Sequence, residues 1–268
     1  MNQYYQGNTN SAHPKRIGFI GCGKIGEPMI RSLVRQFPDS IISVSRQSKE
    51  VSTRLSLEFE NVTIESNQSI IDRSDTVFLC LLAKVAKDEL PELDFRHDQV
   101  VISVMADISL DEVAELIAPA ENPCVTIPLP FIETGNCPLP VYPESRASET
   151  LFGAENEIIT ANDESAIGPH FAATVILSTT MCMLDTASQW LGQKTGDQIK
   201  SEIYVVSLLS GYLDAMDKDG KQRFAEALQD LSTEGGLNTQ LLQHNREGGV
   251  FDQLRTGLDD LGRRVEAN

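Results

Sequence analysis

The residues with the clearest chemical use in this chain are three glycines and one arginine. In "RIGFIGCGKIGEPMIRSLV", residues 16–34, an apolar run from Ile17 to Ile20 meets Gly21, Gly23 and Gly26, and a helical pattern follows. Glycine costs order in the folded chain, so three within six positions need a reason. In a strand–turn–helix the first glycine permits a tight turn and the second lets backbone approach a pyrophosphate. The third lets the helix pack close on the strand. Amides at the helix start then meet negative charge with the helix dipole aligned. Gly21, Gly23 and Gly26 occupy those places, which predicts a dinucleotide site. Cys22, Lys24 and Ile25 complete the turn. Cys22 reads as a small residue in a crowded turn, and Lys24 either touches a phosphate or points into solvent.

The second apolar run ends in "SVSRQSKE". A site for NAD places Asp or Glu about 20 residues past the glycines, where a carboxylate takes the ribose 2′-hydroxyl. Here Ser45, Arg46, Ser48 and Lys49 stand instead. A guanidinium and hydroxyls hydrogen-bond a 2′-phosphate that a carboxylate repels. Residues 16–54 are also locally basic, with seven Lys and Arg against three Asp and Glu, in a chain of net charge −17. NADP(H) is therefore expected over NAD(H), with Ser45 and Arg46 on its 2′-phosphate.

The elements that must position these residues follow from periodicity. Strands are expected at Arg16–Ile20, Ile41–Ser45, Asn61–Ile64, Asp75–Leu82, Gln99–Met105, Cys124–Pro128 and Glu157–Thr160. Helices are expected at Gly23–Phe37, Lys49–Phe59 and Leu110–Ala118, the last capped by Ser109. Alternating strand and helix implies a parallel sheet with helices on both faces. After Asp163 the strands stop. One long helix is expected over Ala166–Gly192, starting beyond Gly168 and Pro169. Its apolar stretch Phe171–Leu184 is fourteen residues, short of the ~20 a bilayer span needs, and so reads as a buried helix. Asp197 is placed to cap a helix carrying Ile199, Ile203, Val206, Leu209, Leu213 and Met216 at three- and four-residue steps. Phe224, Leu228 and Leu231 mark another helix. Val250, Leu254, Leu258, Leu261 and Val265 form the stripe of the last one. The expected architecture is α/β: residues 1–15 a disordered lead, 16–163 a Rossmann-type doubly wound dinucleotide-binding domain, 164–268 an all-helical substrate and dimerisation domain.

Composition narrows the classes of partner. The charge of −17 argues against a phosphate-tracking nucleic-acid surface. Five dispersed cysteines without C-x-x-C spacing and four dispersed histidines predict reduced thiols, a cytoplasmic protein and no metal site. The polar N-terminus "MNQYYQGNTNSAHPK" lacks the apolar core of a signal peptide. No membrane association is expected.

The glycine turn, "SVSRQS", "DTVFLCLLAKVAKDELPEL", "QVVISVMADISLDEV" and the C-terminal "STEGGLNTQLLQHNREGGVFDQLRTGLDDLGRR" together resemble the pyrroline-5-carboxylate reductase family. Its members reduce a cyclic imine with NAD(P)H. The resemblance covers about residues 15 to 265. It implies an NADP-dependent oxidoreductase of proline biosynthesis, with Leu81, Leu82, Ala83, Met105 and Ala106 lining the nicotinamide side. It also implies a homodimer built through the C-terminal helices. The sequence departs from the family's pattern at three substrate segments. The Met-Pro-Asn-Thr-Pro segment is "TIPLPF", Gly-Ser-Gly-Pro is replaced by "ATVILSTT", and the Pro-Gly-Gly-Thr-Thr turn is "EGGLNTQ".

Imine reduction needs hydride delivery and a proton, or a substrate already protonated, and hydroxyls or amides suffice for orientation. Thr174, Ser178, Asn238 and Gln240 are the candidates, with Asn238, Ser178 and Thr174 assigned the catalytic positions. Asn238 follows two glycines and serves either a pocket or a helix cap. Thr174 and Ser178, four apart on one expected helix, bond either substrate or their own backbone. His170 is either a proton donor or a satisfied histidine at a domain junction. Two alternatives stand beside this reading. One is a β-hydroxyacid dehydrogenase with Lys194 or Lys200 as its lysine; the other is a non-catalytic NADPH-binding regulatory protein.

Overall fold

The computed structural model describes residues 16–105 and 107–266; the expected N-terminal lead and Ala106 lie outside them. β1 (Arg16–Ile20), β2 (Ile41–Ser45), β3 (Val62–Glu65), β4 (Thr76–Leu79), β5 (Val100–Ser103), β6 (Cys124–Thr126), β7 (Pro138–Tyr142) and β8 (Glu157–Thr160) form one sheet. Their order is β3-β2-β1-β4-β5-β6-β7-β8. Every neighbouring pair is parallel except β6 with β7. The chain reverses direction across the sheet at β1, and β1 and β4 are neighbours. That is the doubly wound arrangement, in which ligands bind at the carboxyl ends of the strands.

The strands are apolar almost throughout because both sheet faces are covered. Ile17 and Phe19 face one core layer with Met29, Leu33, Ile42, Val44, Phe78 and Phe152. Ile20 faces the other, with Ile70, Val77, Leu79, Val101 and Val113. Phe19 and Phe78 stack at 4.7 Å between ring centroids. The covering helices include α1 (Gly26–Gln36), α2 (Lys49–Glu58), α3 (Asn67–Arg73), α4 (Ala83–Glu89), α5 (Leu110–Leu116) and α6 (Arg146–Phe152). Ser109 caps α5 as expected, accepting the Glu112 amide while Glu112 returns the bond in a capping box.

β7 is absent from the sequence expectation because Pro138 and Pro140 argue against a strand. The ladder to β8 is carried by residues of the other parity. Cys137 and Val141 carbonyls accept the Glu157 and Ala161 amides. The two prolines therefore turn their missing donors away from β8, and both lie beyond the pairing with β6, which engages only Val141 and Tyr142.

The chain divides into two compact units, one reaching Phe171 and taking in the chain again from Val265, and a second running from Ala172 to Arg264. The long helix expected over 166–192 is instead α7 (Ile167–Ala173) and α8 (Ile176–Thr195), broken at 174–175. In the second unit α8 packs along α9 (Gln198–Asp214), whose N-cap Asp197 accepts the Lys200 amide. α10 (Arg223–Asp230), α11 (Leu237–Glu247) and α12 (Val250–Glu266) follow. The expectation that Phe171–Leu184 is buried fails. Val175, Ile176, Leu177, Met181 and Met183 are exposed in the single chain. The 164–195 stretch is long and apolar enough, by composition alone, to cross a membrane.

Candidate nucleotide-binding site

Three glycines shape the turn after β1, each by a different constraint. Gly21 has φ +88°, and a Cβ there would fall 2.3 Å from the Cys80 carbonyl oxygen. No other residue fits. A Cβ on Gly23 would meet no atom within 4 Å. That open space is what a phosphate needs to reach the backbone. A Cβ on Gly26 would come within 3.3 Å of the Gly21 carbonyl, so the start of α1 is packed tightly on the turn. The residues present thus fit a dinucleotide pyrophosphate, with backbone amides at the start of an eleven-residue helix facing the open side.

Ser45 is fully buried at the end of β2, and its Oγ accepts the Gly21 amide at 3.0 Å. The hydroxyl thereby holds the first glycine of the turn, an engagement the sequence did not reveal. Arg46 is exposed and makes no ion pair among the described residues, and Lys49 is exposed at the start of α2. Much of the local basicity is engaged elsewhere. Arg31 forks onto Glu58 at 2.6 and 2.7 Å and reaches Glu27. Arg54 holds Glu27 at 2.6 Å, and Arg35 pairs with Glu155. The Arg54 and Arg31 guanidinium groups keep the Glu27 carboxyl below its ordinary range, with Arg54 the larger cause. This network neutralises the one acidic residue in the first turn of α1. Arg16, at the start of β1, and Lys24, Arg46 and Lys49 remain as exposed cations of the segment.

The Cys22 side chain is buried, and desolvation first, then the Glu27 charge, pushes its thiol up to about 12. It contributes backbone, not chemistry. Cys80 beneath the turn is likewise raised by burial. Ile25 is half-buried and packs against the core beside α1, while Lys24 is exposed.

Beside β1 in the sheet, β4 stops at Leu79. Leu81 lies half-buried against the glycine turn, and Leu82 is 74% exposed at the start of α4. Met105, just past β5, is buried and joins Ile108, Val125, Ile127, Ile167 and Phe171 around a cavity of about 430 Å3. Sequence reasoning missed Thr126. Its Oγ1, on the last residue of β6, is buried without a hydrogen-bond partner among the described residues. Val125 and Ile127 face the cavity, so alternation turns Thr126 to the opposite side of the sheet.

The substrate candidates are not gathered into one place by this chain. Thr174 lies in the break between α7 and α8, so it does not share a helix face with Ser178, which is exposed in the first turn of α8. Asn238, at the second position of α11, is exposed and makes no capping bond; the N-cap is Gly236. Gln240 donates to the Gly235 carbonyl at 2.9 Å. His170 Nδ1 lies 2.7 Å from the Ala166 carbonyl one helical turn back, which occupies one of its ring nitrogens. Lys200 pairs with Asp197 at 2.9 Å, a helix-capping role unlike that of a catalytic lysine.

Residues 16–107 match the family model described as NADP oxidoreductase coenzyme F420-dependent. Over 107 residues the chain is 28% identical to pyrroline-5-carboxylate reductase of Escherichia coli K12, covering 38% of this chain and 40% of that protein. Over 118 residues it is 30% identical to pyrroline-5-carboxylate reductase 1 of Bacillus subtilis 168, covering 42% and 39%. The aligned stretch thus spans about two fifths of these relatives' length. Among solved structures, 1-pyrroline-5-carboxylate reductase from Streptococcus pyogenes superposes with TM-score 0.79 at 18% identity, covering 94% of this chain and 98% of that one. Plasmodium falciparum pyrroline carboxylate reductase with NADP bound gives 0.80 at 12% identity, covering 95% and 98%. An imine reductase from Aspergillus terreus in complex with NADPH4 gives 0.54 at 16% identity, covering 95% and 94%.

Sheet and glycine turn form a dinucleotide-binding domain, and its residues 16–107 are similar to the coenzyme segment of NADP oxidoreductases. Over that domain the chain is similar to the pyrroline-5-carboxylate reductases, and along nearly its whole length it shares the fold of their solved members.

Proposed function

We propose that this protein is an NADPH-dependent reductase of the C=N bond of a small cyclic imine, cytoplasmic, and working as a homodimer through residues 164–268. The observation that carries the reading is the turn itself: Gly21 locked at positive φ, Gly23 open to solvent, and exposed Arg46 one residue beyond the buried anchor Ser45. Gly21, Gly23 and Gly26 would hold the pyrophosphate and Arg46 the 2′-phosphate, with Lys24 and Lys49 adding positive potential. Bound NADPH supplies a hydride at its nicotinamide. Leu81, Leu82 and Met105 would line that end of the cofactor and exclude water from it. Pyrroline-5-carboxylate, the substrate in the relatives' names, is one member of this substrate class and would place the protein in proline biosynthesis.

The dimer rests on the apolar surface of the helical unit. Trp190, Ile199, Ile203 and Leu208 are each at least 60% exposed in the single chain. Apolar area of that extent on a soluble protein marks an interaction site. A second copy covers it without a bilayer; α8 and α9 also carry Asp185, Lys194, Lys200 and Glu202 within the same hairpin. Asn238, Ser178 and Thr174 belong to or border this unit, and we assign their substrate role to the assembled dimer. An amide such as that of Asn238 both donates and accepts, which suits an uncharged imine.

The test is NADPH consumption by purified protein across a panel of cyclic imines and 2- and 3-oxo acids. Turnover of an imine supports the reading. Turnover of oxo acids alone favours a hydroxyacid dehydrogenase, and tight NADPH binding without any turnover favours a regulatory protein. In the active protein, Asn238→Ala is expected to lower kcat at least tenfold while the Kd for NADPH stays within twofold, on the scale of an orienting group about 10²-fold in effect.

A further inference from the structure

The 430 Å3 cavity carries information about the substrate. All the residues used below belong to the first compact unit. Met105 and Ile127 follow β5 and β6, so the cavity opens at the carboxyl ends of strands two and three places from β1. A dinucleotide seated on the turn after β1 directs its nicotinamide half to that side of the sheet. The walls are apolar: Met105, Ile108, Val125, Ile127, Ile167 and Phe171. None of the residues lining it is a Lys, Arg or His.

Its polar groups are already engaged. Ser109 Oγ accepts the Glu112 amide at 3.2 Å, and Ser165 Oγ donates to Asp163. The sole charged group on the wall, the Glu164 carboxylate, accepts the Leu110 amide at 2.7 Å. Holding the start of α5 in this way, Glu164 is fixed in position and keeps a second oxygen for another partner. A substrate carboxylate entering here would lose water, gain no cationic partner and meet a like charge. A protonated imine on a hydrocarbon frame would find the opposite: apolar contact for its carbons and an anion for its nitrogen.

We propose that this cavity selects a cyclic imine that bears no carboxylate and binds as the iminium cation. The inference rests on the imine-reductase reading above. Hydride adds to the iminium carbon, the C=N electron pair passes to nitrogen, and NADPH becomes NADP+. The substrate brings its own proton, so no protein acid is required at the cavity.

The test compares matched pairs on the full-length protein. Calorimetry on the NADP+-loaded protein measures 2-methylpyrrolidine against proline, and NADPH oxidation measures 2-methyl-1-pyrroline against 1-pyrroline-5-carboxylate. We expect the carboxylate-free member to be favoured by about tenfold or more in each pair, the size of one unfavourable charge contact. Glu164→Gln keeps an oxygen for the Leu110 amide but removes the charge. It is expected to shrink both ratios about fivefold or more by the same reasoning. Equal or preferential binding of proline, or binding of neither amine, overturns the proposal, as does a ratio unmoved by Glu164→Gln. Selective binding of 2-methylpyrrolidine without turnover of any imine supports the cavity's selectivity and removes the reductase reading instead.

Discussion

The two compact units handle their apolar residues in opposite ways. In the first, the interior of the sheet is sealed: Ile17, Phe19, Ile42, Val77, Phe78 and Ile102 are all essentially inaccessible. In the second, only Ala172 and Val205 among the described apolar residues are buried. Sheet and flanking helices close a core within one chain because strands bury both faces at once. A hairpin of two helices cannot; its outer faces stay open until something covers them. One unit is therefore finished as a single chain, and the other leaves apolar helix faces uncovered. The nucleotide turn and the apolar cavity lie in the finished unit, and the amide and hydroxyl candidates lie in the unfinished one. Cofactor binding and turnover should then fail separately.

The largest expected effect tests the independence of cofactor binding from stability. Gly23→Val adds a branched side chain whose Cβ would meet no atom within 4 Å beyond its chain neighbours. The melting temperature should stay within about a degree or two, the range of a surface substitution. NADPH affinity should fall by about a hundredfold or more, since the pyrophosphate loses its approach. Normal NADPH binding by the Gly23→Val variant would break the assignment of the turn. Gly21→Val, by contrast, is expected to destabilise the fold itself, because its Cβ strikes the Cys80 carbonyl and φ is +88°.

Next comes the open helical face. Ile203→Glu together with Leu208→Glu puts charge on exposed positions of α9 and should leave the sheet unit folded. Sedimentation should shift from dimer to monomer at micromolar concentration, turnover should be lost, and NADPH binding should persist. Wild-type protein sedimenting as a monomer would remove the contrast between the units.

Cofactor preference is smaller. Arg46→Asp removes one charge-assisted phosphate contact, about 1.5–3 kcal/mol, or roughly tenfold to a hundredfold in NADPH affinity. NADH affinity should hold or improve. Equal binding of both cofactors before and after the change would sink the role given to Arg46.

The smallest effect is a null in the finished unit. Burial raises the thiol pKa of Cys22 to about 12 and also raises those of Cys80, Cys124 and Cys137. Raised values keep these thiols protonated at pH 8, and the thiolate is the reactive form. Cys182 in α8 is the exposed one. Ellman's reagent at pH 8 should therefore titrate at most one thiol per folded chain, against five in denaturant. Fast modification of two or more would show that the sheet core opens.

Much of this was legible in the sequence because it is local. Gly21, Gly23 and Gly26 between an apolar run and an amphipathic stretch announce a strand–turn–helix, since backbone conformation at a tight turn depends on the residues in it. Ser109 and Asp197 announce their caps for the same reason, the hydrogen bond reaching only three residues along the chain. What only the tertiary structure decided are matters of distant neighbours. The strand holding Pro138 and Pro140 goes unread until the ladder to β8 shows that their missing donors face away from it. The hold of the Ser45 hydroxyl on the Gly21 amide, 24 residues away, arises only on folding. Arg31, Arg35 and Arg54 read as a basic patch until Glu58, Glu155 and Glu27 arrive to neutralise them. Residues 171–184 are apolar in either setting, but whether they are covered by the same chain depends on what packs beside them, and composition does not encode that. Local conformation is set by the residues that adopt it; the use of a side chain is set by whatever the fold brings within hydrogen-bonding reach, about 3 Å.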